Sequence, residues 1–272
     1  PPPAVSATPV SPVAPAAGVC EVVLYSPRHG DSLTSMPLER IRNLAWVWRD
    51  RYLELGADPL VKYVFVFENR GEAVGVTLHH PHGQIYAFPY VPPIPERELA
   101  ASRAHLEAHG TCLLCAAMEA ERADGRRLVL EGERFVAWVP FFARWPFEVY
   151  LAPRRHQASM AEWTAEDVAD LAAVLKGLLG KLDALFGRPL PYVMIVHQAP
   201  TDGASHPECH LHFEFYPPNR TATKLKYLAG CEAGGGTFIN DTLPEESAAE
   251  LRRVGPVSVA AVIAADRAAG RG

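Results

Sequence analysis

Apolar residues recur along this chain with two different periods, and the changes of period mark its elements. Val22 to Tyr25 is a short apolar run that predicts a strand, followed by Pro27-Arg28-His29. From Pro37 to Leu55 the residues Leu38, Ile41, Ala45, Trp48, Tyr52 and Leu55 fall on one face of a helix. Tyr63-Val64-Phe65-Val66-Phe67 predicts a strongly apolar strand, and Leu78 to Ala87 predicts another that carries His79-His80-Pro81-His82-Gly83-Gln84.

The second half repeats this order. Val149-Tyr150-Leu151 predicts a strand before Pro153-Arg154-Arg155-His156. Thr164 to Phe186 predicts a helix, with Thr164 and Asp167 spaced as a capping box and Val168, Leu171, Leu175, Leu178, Leu182 and Leu185 on its apolar face. Tyr192 to Val196 is the apolar strand, and Cys209-His210-Leu211-His212-Phe213 carries a second pair of histidines. The spacings match: 34 residues from His29 to Tyr63 against 36 from His156 to Tyr192, and 17 from Tyr63 to His80 against 18 from Tyr192 to His210. A tandem duplication of one sheet-and-helix unit explains both, and two such sheets with segregated helices predict an α+β class. The expected boundaries are a Pro/Ala-rich linker at 1–17, a first unit at 18–98, a second at 99–255 and a tail at 256–272.

Composition narrows the setting. The 272 residues are 49% hydrophobic and 21% charged, which describes a globular protein with ample core. A net charge of -5 gives no general electrostatic reason to bind nucleic acid or membrane. No apolar stretch is long enough to span a bilayer. Five cysteines, odd in number and with two in a C-x-x-C, favour a reducing compartment and metal binding over a disulfide framework, so the cytoplasm is expected. Six prolines within residues 1–17, ahead of any methionine, lead us to expect a segment upstream of Pro1.

His82 is the leading candidate for chemistry. An imidazole attacks phosphorus well when one nitrogen is fixed as a donor and the other keeps its lone pair. A backbone carbonyl in the His80-Pro81-His82 turn could accept from Nδ1 and expose Nε2. Gly83 would let a phosphate approach the backbone, and Gln84 could donate to a non-bridging oxygen. Cys112-Leu113-Leu114-Cys115 has the chelate spacing of a zinc knuckle, although two helical cysteines packed in a core would read the same.

Taken together, His80-Pro81-His82-Gly83-Gln84, the preceding Phe67-Glu68-Asn69-Arg70-Gly71, Trp145-Pro146-Phe147-Glu148, His197-Gln198-Ala199-Pro200, Phe215-Tyr216-Pro217-Pro218 and Gly230-Cys231-Glu232 resemble the galactose-1-phosphate uridylyltransferase family. The resemblance runs from about residue 18 to 255 and implies tandem histidine-triad-like units, each an antiparallel sheet with a long helix. It also implies a ping-pong reaction. His82 would take UMP from UDP-glucose as a uridylyl-histidine and pass it to galactose 1-phosphate. Asn69, Gly75-Val76-Thr77 and Gln84 match positions that hold nucleotide or phosphate, and Lys226 and Glu232 match positions near the hexose and its phosphate. A homodimer with shared active sites follows from the same resemblance.

Three metal sites are implied. Cys112, Cys115, His156 and His210 would form a closed Cys2His2 zinc site. His29 and His80 are the equivalent imidazoles of the first unit, where the family often carries a C-x-x-C in the region upstream of Pro1. Glu98, His197, His212 and Glu214 match a mixed carboxylate–imidazole site for iron or zinc, with Glu214 in place of the histidine of some members. His212 is the repeat partner of His82, while His79 and His206 have no assigned role. Rival readings are ADP-glucose or adenylyl-sulfate phosphorolysis on the same scaffold, a hydrolase, and a zinc-stabilised binding module without turnover.

Overall fold

The computed structural model describes residues 6–14 and 17–270. Residues 1–5 and 15–16 of the expected linker, and 271–272 of the expected tail, lie outside them. The strands are β1 (Val19–Leu24), β2 (Tyr63–Arg70), β3 (His82–Phe88), β4 (Leu128–Glu131), β5 (Phe135–Trp138), β6 (Val149–Pro153), β7 (Tyr192–His197) and β8 (His212–Tyr216). The helices are α1 (Leu38–Gly56), α2 (Pro93–His109), α3 (Leu113–Asp124), α4 (Ala165–Leu185), α5 (Gly230–Gly235), α6 (Pro244–Arg253) and α7 (Val259–Ala269). The class is α+β, as the periodicity implies.

The two expected sheets are one. Eight strands run in the order β1-β3-β2-β7-β8-β6-β5-β4, and each neighbour is antiparallel. The join is between β2 and β7, with Val66 opposite Val196 and Arg70 opposite Tyr192. Pairing these strands removes two exposed edges.

One sheet face carries α1 and α4. The α1 stripe of Leu38, Ile41, Ala45, Trp48, Tyr52 and Leu55 is buried as its spacing requires. Trp48 reaches Phe213 on β8, 6.1 Å between ring centroids, so the first unit's helix packs on the second unit's strand. In α4 burial spreads beyond one stripe because α1, α6 and α7 also pack against it. The capping box is present: Asp167 N–H donates to Thr164 Oγ1 at 3.2 Å, and Thr164 N–H donates to the Asp167 carboxylate at 3.0 Å. The segment after 255, read from sequence as a tail, contains α7 and packs on α4.

The other face differs between the halves. Over β5 and β6 it is covered by α3, where Met118 packs on Val136, Trp138, Tyr150 and Ala152. Over β2 and β3 it carries a half-buried aromatic ladder, with Phe65 stacked on Phe67 at 5.6 Å and Phe67 edge-on to Tyr86 at 5.0 Å.

Two strands begin later than their apolar patterns suggest. β3 starts at His82 and not Leu78, and β8 starts at His212 and not Cys209. Pro81 lacks the N–H a ladder would need, and Leu211 N–H is drawn to Gln157 O at 2.8 Å instead. Both delays put the second histidine of the pair at the first residue of its strand.

Glu68 sits beneath the β2–β7 join, where it accepts hydrogen bonds from Tyr192 Oη at 3.2 Å and Tyr25 Oη at 3.4 Å. Burial raises its pKa from 4.5 to about 7, against the opposing pull of Arg70 and the two hydroxyls. The folded chain therefore holds a proton between these values that the unfolded chain releases. Its contribution to stability, at most roughly 3 kcal/mol, is complete below pH 4.5 and lost as pH rises through 7. Glu68→Gln, neutral throughout, should flatten that part of the curve of unfolding free energy against pH in urea titrations. An unchanged slope would assign the proton elsewhere.

Candidate active site and metal centres

His82 Nδ1 lies 2.7 Å from His80 O. A carbonyl oxygen can only accept, so Nδ1 carries the proton and Nε2 keeps its lone pair, as the turn sequence leads one to expect. The next ring is tied in the same way, with His80 Nε2 at 2.7 Å from Ser26 O. That leaves His80 Nδ1 as an acceptor, and it faces His29 Nδ1 at 3.3 Å.

The second unit repeats these bonds. His212 Nδ1 is 2.8 Å from His210 O, and His210 Nε2 is 2.8 Å from Pro153 O. His210 Nδ1 then faces Cys115 Sγ at 3.1 Å, and His156 Nδ1 faces the same sulfur at 3.4 Å. The duplicated sequence has duplicated its hydrogen bonds, including which nitrogen each carbonyl takes.

Around His82 is a cavity of about 240 Å³, whose wall includes Asn69, Val76, His79, His80 and Arg70. Gly75, Thr77 and Gln84 are not on that wall. Gln84 shares the His82 face of β3 and accepts from Tyr86 Oη at 3.1 Å, leaving its amide N–H groups to donate. Arg70, whose charge sequence reasoning left unused, is held by Asp183 through two contacts of 2.8 and 3.0 Å. Gly83 is required for a reason other than phosphate approach. A Cβ there would lie 2.1 Å from Tyr25 Oη, so the missing side chain makes room for the hydroxyl that bonds Glu68.

Lys226 and Glu232 lie apart from this wall and are paired with each other at 2.8 Å, both buried. Lys226 Nζ also donates to the backbone carbonyls of Arg144, at 2.5 Å, and Ile239. The Glu232 carboxylate accepts from Ala229 N–H and Ile239 N–H, which together with Lys226 lower its pKa to about 2. Within this chain the pair braces the segment 226–239.

Two groups of side chains can each hold a metal ion. In the first, the donor atoms of Cys112, Cys115, His156 and His210 all lie within 4.8 Å of one another. Two sulfurs and two ring nitrogens converge, the donor set of a closed tetrahedral site. The thiols share the deprotonation unequally: hydrogen bonding from Cys115 lowers Cys112, while Cys115 is raised by Cys112 and by burial. Cys112 sits at the N-cap of α3 and Cys115 one turn later, so the helix start sets their spacing.

The second group is Glu98, His197, His212 and Glu214, again within 4.8 Å. His197 and His212 stand opposite each other across β7 and β8, and Glu98 reaches over from α2 to put Oε2 2.6 Å from His197 Nδ1. His212 Nε2 has no proton when the ring is neutral, yet it faces Glu214 Oε1 at 3.1 Å. A lone pair opposed to a carboxylate calls for a proton or a cation between them. Burial raises the Glu214 pKa, but His197, His212 and Arg144 outweigh it and hold the carboxyl well below the usual range. Arg144, at 2.9 Å from Glu214 Oε2, is absent from the sequence-based site because its partners lie 4 and 70 residues away.

These features agree with comparisons to known proteins. Residues 98–263 match the model described as galactose-1-phosphate uridyl transferase, C-terminal domain, and residues 3–92 match the corresponding N-terminal domain. The galactose-1-phosphate uridylyltransferase of Thermotoga maritima is 45% identical over 237 residues, 86% of this chain and 74% of that protein. The Haemophilus influenzae protein of the same name is 37% identical over 94% of this chain and 73% of its own length. A solved uridylyltransferase superposes with a TM-score of 0.87 at 39% identity, covering 97% of this chain and 82% of that one. An ADP-glucose phosphorylase from Arabidopsis thaliana, solved with bound ADP-glucose, gives a TM-score of 0.79 at 27% identity over 88% of this chain and 73% of its own. With both domain models matched in order and His82 placed on its carbonyl, the chain belongs to the galactose-1-phosphate uridylyltransferase family.

Proposed function

We propose that this enzyme moves UMP from UDP-glucose to galactose 1-phosphate, with His82 as the nucleophile. The observation that carries the reading is the 2.7 Å bond from His82 Nδ1 to His80 O, which leaves Nε2 as the free lone pair. Nε2 attacks the α-phosphorus, the bond to the bridging oxygen breaks, and glucose 1-phosphate departs with that electron pair. The ring becomes a cationic uridylyl-imidazole, and the carbonyl on Nδ1 stabilises the charge. A phosphate oxygen of galactose 1-phosphate then attacks the same phosphorus and releases neutral His82. The group that leaves in the first step and the nucleophile of the second are both phosphate anions, so the Nδ1 proton never moves. Asn69 and the Gly75-Val76-Thr77 segment hold the nucleotide phosphates, and Gln84 donates to a non-bridging oxygen.

Lys226 and Glu232 shape the acceptor side by ordering the segment 226–239. Neither lines the His82 cavity of its own chain. The aromatic ladder beside His82 and Gln84 is half exposed, which supports a homodimer in which a second copy completes the site. Cys112, Cys115, His156 and His210 hold zinc, which would lock the start of α3 to the loop before β8. Glu98, His197, His212 and Glu214 hold zinc or iron, and His29 with His80 forms half of a third zinc site. All five cysteines are free, which favours the cytoplasm, and no described helix is long and apolar enough to cross a membrane.

Intact-protein mass spectrometry after incubation with UDP-glucose should show a uridylyl adduct that galactose 1-phosphate discharges. His82→Ala should form none and lose turnover by roughly 10⁴-fold or more. His82→Gly should regain transfer from an imidazole-activated uridylate. An adduct that persists in His82→Ala, or an adenylyl adduct from ADP-glucose alone, would refute the assignment.

Chelation tests the structural metal. Cys112→Ser should lose about one equivalent of zinc by elemental analysis and unfold at lower temperature, because one oxygen cannot replace a thiolate here. Equal metal content and Tm in the variant would remove that centre.

A further inference from the structure

Glu214 is fully buried, and a carboxylate there adds a negative charge that a histidine would not. Its two oxygens have different surroundings. Oε1 faces the ring nitrogens of His212 and His197 at 3.1 and 3.5 Å, while Oε2 accepts from Arg144 Nη2 at 2.9 Å. The guanidinium is itself held from several sides. It donates to Glu148 Oε1 from Nε and Nη2 at 3.3 and 3.1 Å, donates to Tyr216 Oη at 2.7 Å, and lies 5.0 Å from the Tyr216 ring centroid. Glu148 in turn accepts from the backbone N–H groups of Arg144 and Trp145 at 2.5 and 3.0 Å.

We propose that Arg144, half-buried itself, is the counter-ion that makes the buried Glu214 usable as a ligand in the mixed centre. The inference rests on reading Glu98, His197, His212 and Glu214 as a metal site. Three carboxylates, Glu98, Glu148 and Glu214, gather here against one guanidinium. The shortfall of two positive charges is the charge of a divalent ion. Arg144 also sets denticity: by taking Oε2 it leaves Glu214 a single oxygen for the ion. A planar guanidinium can serve Glu148 and Glu214 together, which a point-charge ammonium does less well. Without it, two fully buried carboxylates lose their common cation.

The test uses Arg144→Met, Arg144→Lys and the double variant Arg144→Met/Glu214→His, each as full-length protein. The centre is defined operationally as the equivalent of metal that His197→Ala removes. Arg144→Met should weaken zinc at that equivalent by about 10- to 100-fold in chelator competition, Arg144→Lys by less, and the double variant should recover. In chelator-treated protein Arg144→Met should lower Tm by roughly 5 °C or more, and Glu214→Gln added to it should restore most of the loss. If His197→Ala removes no metal, the metal reading fails, and the Tm series alone decides whether Arg144 is the counter-ion. Unchanged affinity and Tm in Arg144→Met, or a double variant no better than the single, would overturn the proposal.

Discussion

An imidazole has two nitrogens, and the chemistry of this protein depends on which of them a backbone carbonyl takes. In each unit the first histidine of the pair gives Nε2 to a carbonyl from the preceding strand region, Ser26 or Pro153. The second gives Nδ1 to the carbonyl of the first. One ring therefore points Nδ1 toward another donor, His29 or Cys115, and the next keeps its Nε2 lone pair free. Such bonds cost no side-chain entropy in the acceptor, and a carbonyl cannot switch from acceptor to donor. The tautomers are set by the backbone, and catalysis and metal binding inherit them.

The duplicated geometry also shows how one unit comes to differ from the other. His82 and His212 have the same bond to the carbonyl two residues back. Two residues on, β3 has Gln84 and β8 has Glu214. The Gln84 amide leaves the His82 lone pair unopposed, whereas the Glu214 carboxylate stands 3.1 Å from His212 Nε2 and is backed by Arg144. A neutral neighbour leaves the ring's lone pair available, and an anionic neighbour with two further donors makes a group that could hold a cation. The helices add to the divergence. α2 and α3 cover the second unit's chemical face and bring in Glu98, Cys112 and Cys115, while the first unit's face keeps its aromatic ladder.

Joining the units through β2 and β7 puts both chemical faces on one side of a single sheet, with α1 and α4 on the other. It also buries Glu68 between Tyr25 and Tyr192, one from each unit, directly behind the strand end that holds the His82 turn. Gly83 belongs to the same arrangement, because Tyr25 occupies the space of its absent side chain. His82 thus rests on a layer of polar contacts that spans the join.

Much of this was legible in the chain itself. Periods of 2 and 3.6 located six of the eight strands and the two long helices α1 and α4, but not β4, β5 or the other helices. Matched spacings exposed the duplication, and local motifs singled out His82, the Thr164 cap and the C-x-x-C. These signals are local, because a turn, a cap or a chelate needs residues only a few positions apart. The fusion of two sheets into one was decided in three dimensions, since an apolar strand does not state which neighbour it will pair with. The bracing of Lys226, the true constraint on Gly83 and the place of Arg144 were decided there too. Each depends on groups tens of residues apart, such as Arg144 with Glu214 or Gly83 with Tyr25. No short-range pattern records them, because the energy that selects them appears only once the sheet has brought those side chains out of water.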